Sequence, residues 1–177
     1  MLEDWQVVRS ETAFATPWFR VNRDTVRLPN GLELDDYYVI HTQDFVKMFA
    51  YTQAREVVFV RQYKHGVGRV MLELPAGLIE PDEDAAEAAA RELLEETGYA
   101  GELRLLDRWV HDPTRSPTME HLFFGQVEWV ATPKPDVTEE IEVVLIPAAE
   151  VPALIKSGEL YALSSIAAAL YCLPLLG

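Results

Sequence analysis

The sequence predicts an α+β fold: a mixed β-sheet sandwiched by helices, with an N-terminal β-hairpin extension. Two patterns predict it. Segments alternating apolar and polar at period two run through most of the chain, as half-buried strands require. One long helical segment, rich in alanine and glutamate, falls in the middle of the strand order, and two further helical segments close the chain. With 177 residues and 49% apolar composition, the chain can bury a real core. The expected division is an N-terminal β extension over residues 1–44 and a main domain over 45–177.

The elements follow in order. Trp18–Leu28 and Leu32–His41 alternate around Pro29-Asn30-Gly31, a turn signal, and make a hairpin; Trp5–Arg9 is a candidate for a further strand. Phe45–Thr52 and Glu56–Tyr63 read as strands, and Val70–Leu74 as a short strand running into Pro75-Ala76-Gly77. For the helix that follows, Asp82 is placed as N-cap, with Glu83 and Asp84 adding negative charge where the helix dipole favours it. Gly98 is placed to end the helix at positive φ. Ala86, Ala90 and Leu93, flanked by Leu94 and Thr97, form its expected core-facing stripe. Leu103–His111, Met119–Glu128 and Glu140–Ile146 read as strands, Val151–Ser157 as a short helix and Ser164–Leu173 as a closing helix.

The net charge of −14 argues against nucleic-acid or anionic-membrane partners. The apolar stretch over residues 164–176 is too short to span a bilayer and is interrupted by Pro174. The first residues are acidic and unlike a signal peptide, so the expected compartment is cytoplasmic. The single cysteine, Cys172, allows no intrachain disulfide and suits a reducing compartment; between Tyr171 and Leu173 it reads as a small core residue rather than a nucleophile.

Three glutamates on the central helix, Glu92, Glu95 and Glu96, stand at spacings of three and four and share about 100° of arc. Ala85, Ala88 and Ala89 lie on the same arc and are expected to leave room for an approaching group. Like charges at this spacing cost a helix roughly 0.2–0.5 kcal/mol per pair. A solvated acidic face is one explanation. A bound divalent cation is the other, since it removes the repulsion and prefers carboxylate oxygens. A polyanionic substrate would also need such cations on so acidic a chain.

Residues 77–99 decide between them. They match the pattern G-x5-E-x7-R-E-U-x-E-E-x-G-U, where U is bulky and apolar, at Gly77, Glu83, Arg91, Glu92, Leu93, Glu95, Glu96, Gly98 and Tyr99. This resembles the signature of the Nudix hydrolases and implies the Nudix-type α/β/α sandwich. The resemblance extends to Val60-Arg61-Gln62-Tyr63, to Leu72-Glu73-Leu74-Pro75-Ala76-Gly77, to the acidic run Thr138–Glu142 and to Ser157-Gly158-Glu159-Leu160. Those segments are similar to the ADP-ribose pyrophosphatase branch, which hydrolyses nucleoside diphosphate sugars. The N-terminal hairpin matches, by position and pattern, the strands with which that branch builds a homodimer.

What the resemblance implies is a metal-dependent attack of water on a phosphoanhydride, ADP-ribose giving AMP and ribose 5-phosphate. Glu92, Glu96 and Glu95, with the Ala76 carbonyl, are the expected ligands of Mg2+, with Mn2+ the alternative. Arg91 and Glu83 carry the family's orienting role; Arg91, four residues from both Glu87 and Glu95, can tether either. The general base comes in this branch from a late mobile loop, here Pro133–Glu140. Its usual first glutamate is replaced by Val137, which leaves Glu139 or Glu140, with Glu120 on the preceding strand as another candidate. Arg61, Glu73 and Arg115 are candidate substrate contacts; an ion pair at Arg61, a supporting role at Glu73 and a solvated Arg115 are the alternatives. Trp18, Phe19, Tyr37 and Tyr38 are candidates for base stacking, against a role in the core or a dimer. One departure concerns the substrate. Pro113 stands fourteen residues after Tyr99, where the branch places a proline about fifteen residues on. Thr114 follows it instead of glycine, so other nucleotide sugars and a non-catalytic nucleotide-binding role stay open.

Overall fold

The computed structural model describes residues 2–177 and separates into two compact units. The first comprises the chain up to Asp44 together with Val110–Met119, a segment the sequence reading gives to the main domain; the second comprises Phe45–Trp109 and Glu120–Gly177. The extension is a three-stranded antiparallel sheet of β1 (Gln6–Ala15), β2 (Arg20–Arg27) and β3 (Glu33–His41). β1 is longer than the expected Trp5–Arg9, and every one of its residues is exposed. The β2–β3 hairpin turns at Pro29-Asn30-Gly31, where Gly31 takes φ 86°. Within this unit the Tyr37 hydroxyl donates to the Thr114 carbonyl at 2.6 Å, and Ile40 N–H donates to the Arg115 carbonyl at 2.7 Å, so the 110–119 segment is tied to β3.

The second unit is built on an eight-stranded mixed sheet. β4 (Phe45–Tyr51) is central; β5 (Glu56–Lys64), β6 (Arg69–Glu73) and β7 (Ala76–Leu78) follow it in the chain. After helix α1 (Ala85–Thr97) come β8 (Tyr99–Gly101), β9 (Arg104–Val110), β10 (Met119–Trp129) and β11 (Ile141–Pro147), then α2 (Val151–Ser157), α3 (Leu163–Cys172) and a 3-10 turn at Leu173–Leu176. The path across the sheet is β11-β5-β4-β10-β8, with β6 on β5, β7 on β4 and β9 on β10. β10 pairs β4 in parallel, while β4–β7, β5–β6 and β5–β11 are antiparallel.

Alternation along β4 divides the core. Val46, Met48 and Ala50 pack with Ala88, Ala89 and Leu93 of α1, whereas Phe49 packs with Val151 of α2 and Ala168, Ala169 and Cys172 of α3. The sheet is therefore covered on both faces, the expected α/β/α sandwich. Burial pushes the Cys172 thiol up to about 12, which fits an inert core residue.

Two expectations about α1 are corrected. Its N-cap is Asp84, not Asp82: the Asp84 carboxylate accepts from Ala86 N–H, and Glu87 reaches back to the Asp84 N–H as a capping box. Asp82 instead takes φ 67° in the preceding turn. The buried residues are Ala88, Ala89, Leu93, Glu96 and Thr97, with Ala86, Ala90 and Leu94 exposed. Ala88 and Ala89 thus let α1 approach the sheet and do not line an open space.

Candidate active site

The loop entering β7 and the face of α1 above it bring the signature residues together. Arg91 is the hub. Its Nε and a terminal nitrogen donate to the two oxygens of Glu83 at 2.8 and 2.9 Å, a bidentate pair. Its remaining donors reach Glu92 at 2.8 Å, Glu95 at 3.2 Å and the Leu78 carbonyl at 3.1 Å. Glu87, the other predicted partner, is engaged in the helix cap. The Arg91 bonds hold the Glu83 carboxyl below its ordinary range and raise the guanidinium further.

Glu92 lies against the glycine of the loop. A Cβ built on Gly77 would fall 1.9 Å from the Glu92 carboxyl carbon, so glycine lets the Glu92 carboxylate sit where it does against the loop. Glu96 is 2% exposed and accepts from Ala76 N–H at 3.2 Å. Burial raises the Glu92 pKa; burial and then the Glu92 charge push Glu96 up to about 8. Glu95 is exposed and turned to Arg91.

The donor set fits a hard divalent cation. Among the described residues no three acidic, imidazole or thiol groups converge into a complete shell. Magnesium does not require one: it keeps several waters and binds through one or two carboxylates plus substrate phosphates. Glu92 and Glu96 could supply such a pair, with Glu92 packed against Gly77 and Glu96 held by the Ala76 N–H.

The remaining predicted residues divide. Glu139 is exposed on the 133–140 loop, and its charge acts on both Glu92 and Glu96; Glu140 is exposed beside it. Glu120 is 2% exposed at the start of β10, and its charge acts on Lys47. Arg61 donates to Glu159 at 2.9 Å and approaches Glu142 at 3.9 Å. Glu73 pairs with Lys64 at 3.5 Å. Arg115 is exposed in the first unit, its N–H donating to the Asp112 carbonyl. Sequence reasoning missed Lys47 and Ser165. Lys47 is 4% exposed, its ammonium disfavoured by burial and supported by Glu120, Glu73 and Glu96. Its signal was present: a lysine inside the apolar strand Phe45-Val-Lys-Met-Phe-Ala.

The family description "NUDIX domain" matches residues 42–164, and "Nucleoside diphosphate sugar hydrolase N-terminal domain" matches residues 5–40. The chain belongs to the Nudix family. It is 28% identical over 159 residues to an ADP-ribose pyrophosphatase of Bacillus subtilis (strain 168), covering 88% of this chain and 85% of that one. It is 30% identical over 122 residues to a methanol dehydrogenase activator of Bacillus methanolicus, covering 68% of this chain and 65% of that one. A crystal structure of an ADP compounds hydrolase superposes with a TM-score of 0.83 at 21% identity, over 96% of this chain and 92% of that one, which establishes likeness of fold.

Proposed function

We propose that this protein is a magnesium-dependent hydrolase that cleaves the pyrophosphate of a nucleoside diphosphate sugar, with ADP-ribose as substrate and AMP and ribose 5-phosphate as products. The observation that carries the reading is the pair Glu92 and Glu96, two helix carboxylates packed against Gly77 and the Ala76 N–H. The likeness to an ADP-ribose pyrophosphatase over most of both chains, and the match of residues 5–40, support the substrate class.

Glu92, Glu96 and the Ala76 carbonyl hold the cation, which when bound neutralises phosphate charge and lowers the pKa of a water. Arg91, anchored on Glu83, fixes the rotamer of Glu92. Glu139 takes the proton of the attacking water on a carboxylate oxygen, because it is the loop glutamate whose charge reaches both ligands. Water adds across the phosphoanhydride: its oxygen joins one phosphorus, and the bridging oxygen leaves with the other. Glu120, buried against the Lys47 charge, acts as a support. Arg61 grips phosphate or ribose by exchanging its Glu159 partner. The fully exposed β1, with Val7, Val8 and Phe14, and Trp5 just before it, supports a homodimer built through the extension.

A second reading follows from Pro113-Thr114, which departs from the branch's pattern: another nucleotide sugar is the preferred substrate. Product chromatography with magnesium over ADP-ribose, ADP-glucose, GDP-mannose, NADH and diadenosine polyphosphates separates the two. Fast AMP release from ADP-ribose supports the first, and preference for another sugar nucleotide supports the second. Silence with both magnesium and manganese supports a nucleotide-binding role without catalysis.

A further inference from the structure

The segment Leu74-Pro75-Ala76 is tethered at three successive residues to three different elements. Ala76 N–H donates to Glu96 on α1 at 3.2 Å. The Pro75 carbonyl accepts from Met48 N–H on β4 at 3.0 Å. Leu74 N–H donates to the Ser165 hydroxyl on α3 at 3.1 Å. Ser165 is fully buried, and the same hydroxyl oxygen accepts from the Lys47 ammonium at 3.4 Å. Lys47 stands opposite Ala76 in the β4–β7 pairing. A hydroxyl from the far face of the sheet therefore braces both the strand residue and the chain entry to the loop that carries the Ala76 carbonyl.

We propose that Ser165 is a positioning residue for the metal site: through Leu74 N–H and Lys47 it sets the height and tilt of the Ala76 carbonyl relative to Glu96. This rests on the reading of Glu92, Glu96 and Ala76 as a cation site. A buried hydroxyl serving only the core would satisfy its neighbours without aligning a ligand. The arrangement differs, since both groups that Ser165 holds, Leu74 N–H and Lys47, border the ligand loop. Outer partners that aim metal ligands typically carry on the order of 10–100-fold of metal affinity.

The test is a magnesium titration by isothermal calorimetry, with melting temperatures measured beside it, without substrate, on the wild type, Ser165→Ala, Ser165→Thr and Ser165→Cys. The half-saturating magnesium concentration is expected to rise about tenfold or more in Ser165→Ala. Ser165→Thr, which keeps the hydroxyl, restores it. If Ser165→Ala does not fold, Ser165→Cys, near-isosteric but a weak acceptor, decides and is expected to show the same rise. A lower melting temperature with unchanged half-saturation in the folded variants overturns the positioning role while leaving the cation site intact. No magnesium binding by the wild type overturns the cation site itself, and the positioning role with it.

Discussion

Arg91 clasps Glu83 through two parallel bonds of 2.8 and 2.9 Å, and with a further nitrogen holds Glu92 at 2.8 Å. The guanidinium thus converts a turn residue eight positions earlier into an anchor for a helix carboxylate. Lysine cannot reproduce this fork. Arg91→Lys is expected to lower turnover about 10–100-fold with little change in the far-ultraviolet spectrum. Glu83→Gln, which weakens the same anchor, is expected to fall within that range. Steady-state kinetics on both variants checks the pairing: one harmless and one severe outcome would break it.

Gly77 has no room for a methyl group. Gly77→Ala would push a Cβ within 1.9 Å of the Glu92 carboxyl carbon, so the carboxylate must swing away. Displacing a ligand by about 1 Å costs roughly a hundredfold in rate. The expected result is that loss in kcat together with a weakened response to magnesium. Wild-type kinetics in Gly77→Ala would show that Glu92 is not held where the geometry puts it.

The pH dependence of the metal-free protein follows from Glu96. Its pKa rises from an ordinary 4.5 to about 8 in the fold, first by burial and then by the Glu92 charge. A raised carboxyl pKa favours the protonated folded form. Its contribution is complete below about 4.5 and is lost as pH rises through about 8. Without metal, the wild type should therefore become progressively less stable than Glu96→Gln between those values. Magnesium must displace this proton, so the magnesium-induced rise in melting temperature should be larger at pH 8.5 than at pH 6. Melting curves at both pH values, with and without magnesium, measure it; a gain larger at pH 6 would reverse the sign.

Asp84 caps α1 away from the ligands. Asp84→Ala should cost about 1 kcal/mol of stability, or roughly 2–4 °C for a chain of this size, with kcat unchanged. Scanning calorimetry beside kinetics separates the two effects. A fall in kcat without a change in melting temperature would mean the cap is not what Asp84 contributes.

The strands with strong alternation and the hairpin at Pro29-Asn30-Gly31 were legible in the sequence because local turn chemistry and period two specify them. β7 and β8 were not, since three residues carry no period and their pairing with β4 and β10 is a tertiary event. The buried face of α1 was misjudged for a related reason. An alanine-rich helix has small residues around much of its circumference, so packing against Val46, Met48 and Phe123, not hydropathy, selects Ala88 and Ala89 over Ala86 and Ala90. The Asp82 cap was misplaced because Pro81-Asp-Glu-Asp84 offers several acidic caps and only the turn at Asp82 decides among them. Glu92, Glu95 and Glu96 were visible from spacing; Glu83 and Arg91 were singled out through the family resemblance, and spacing offered Arg91 the partners Glu87 and Glu95 rather than Glu83. Ser165 was not, because its role depends on α3 meeting Leu74, 91 positions away in the chain.

The account turns on Glu96, buried under Ala76 and beside Glu92. The most direct measurement is the rate of AMP release from ADP-ribose with saturating magnesium, by the wild type and by Glu96→Gln. The account predicts turnover by the wild type and a loss of about a thousandfold in the variant, with its circular dichroism unchanged. Equal turnover by the two proteins would contradict the proposed cation site.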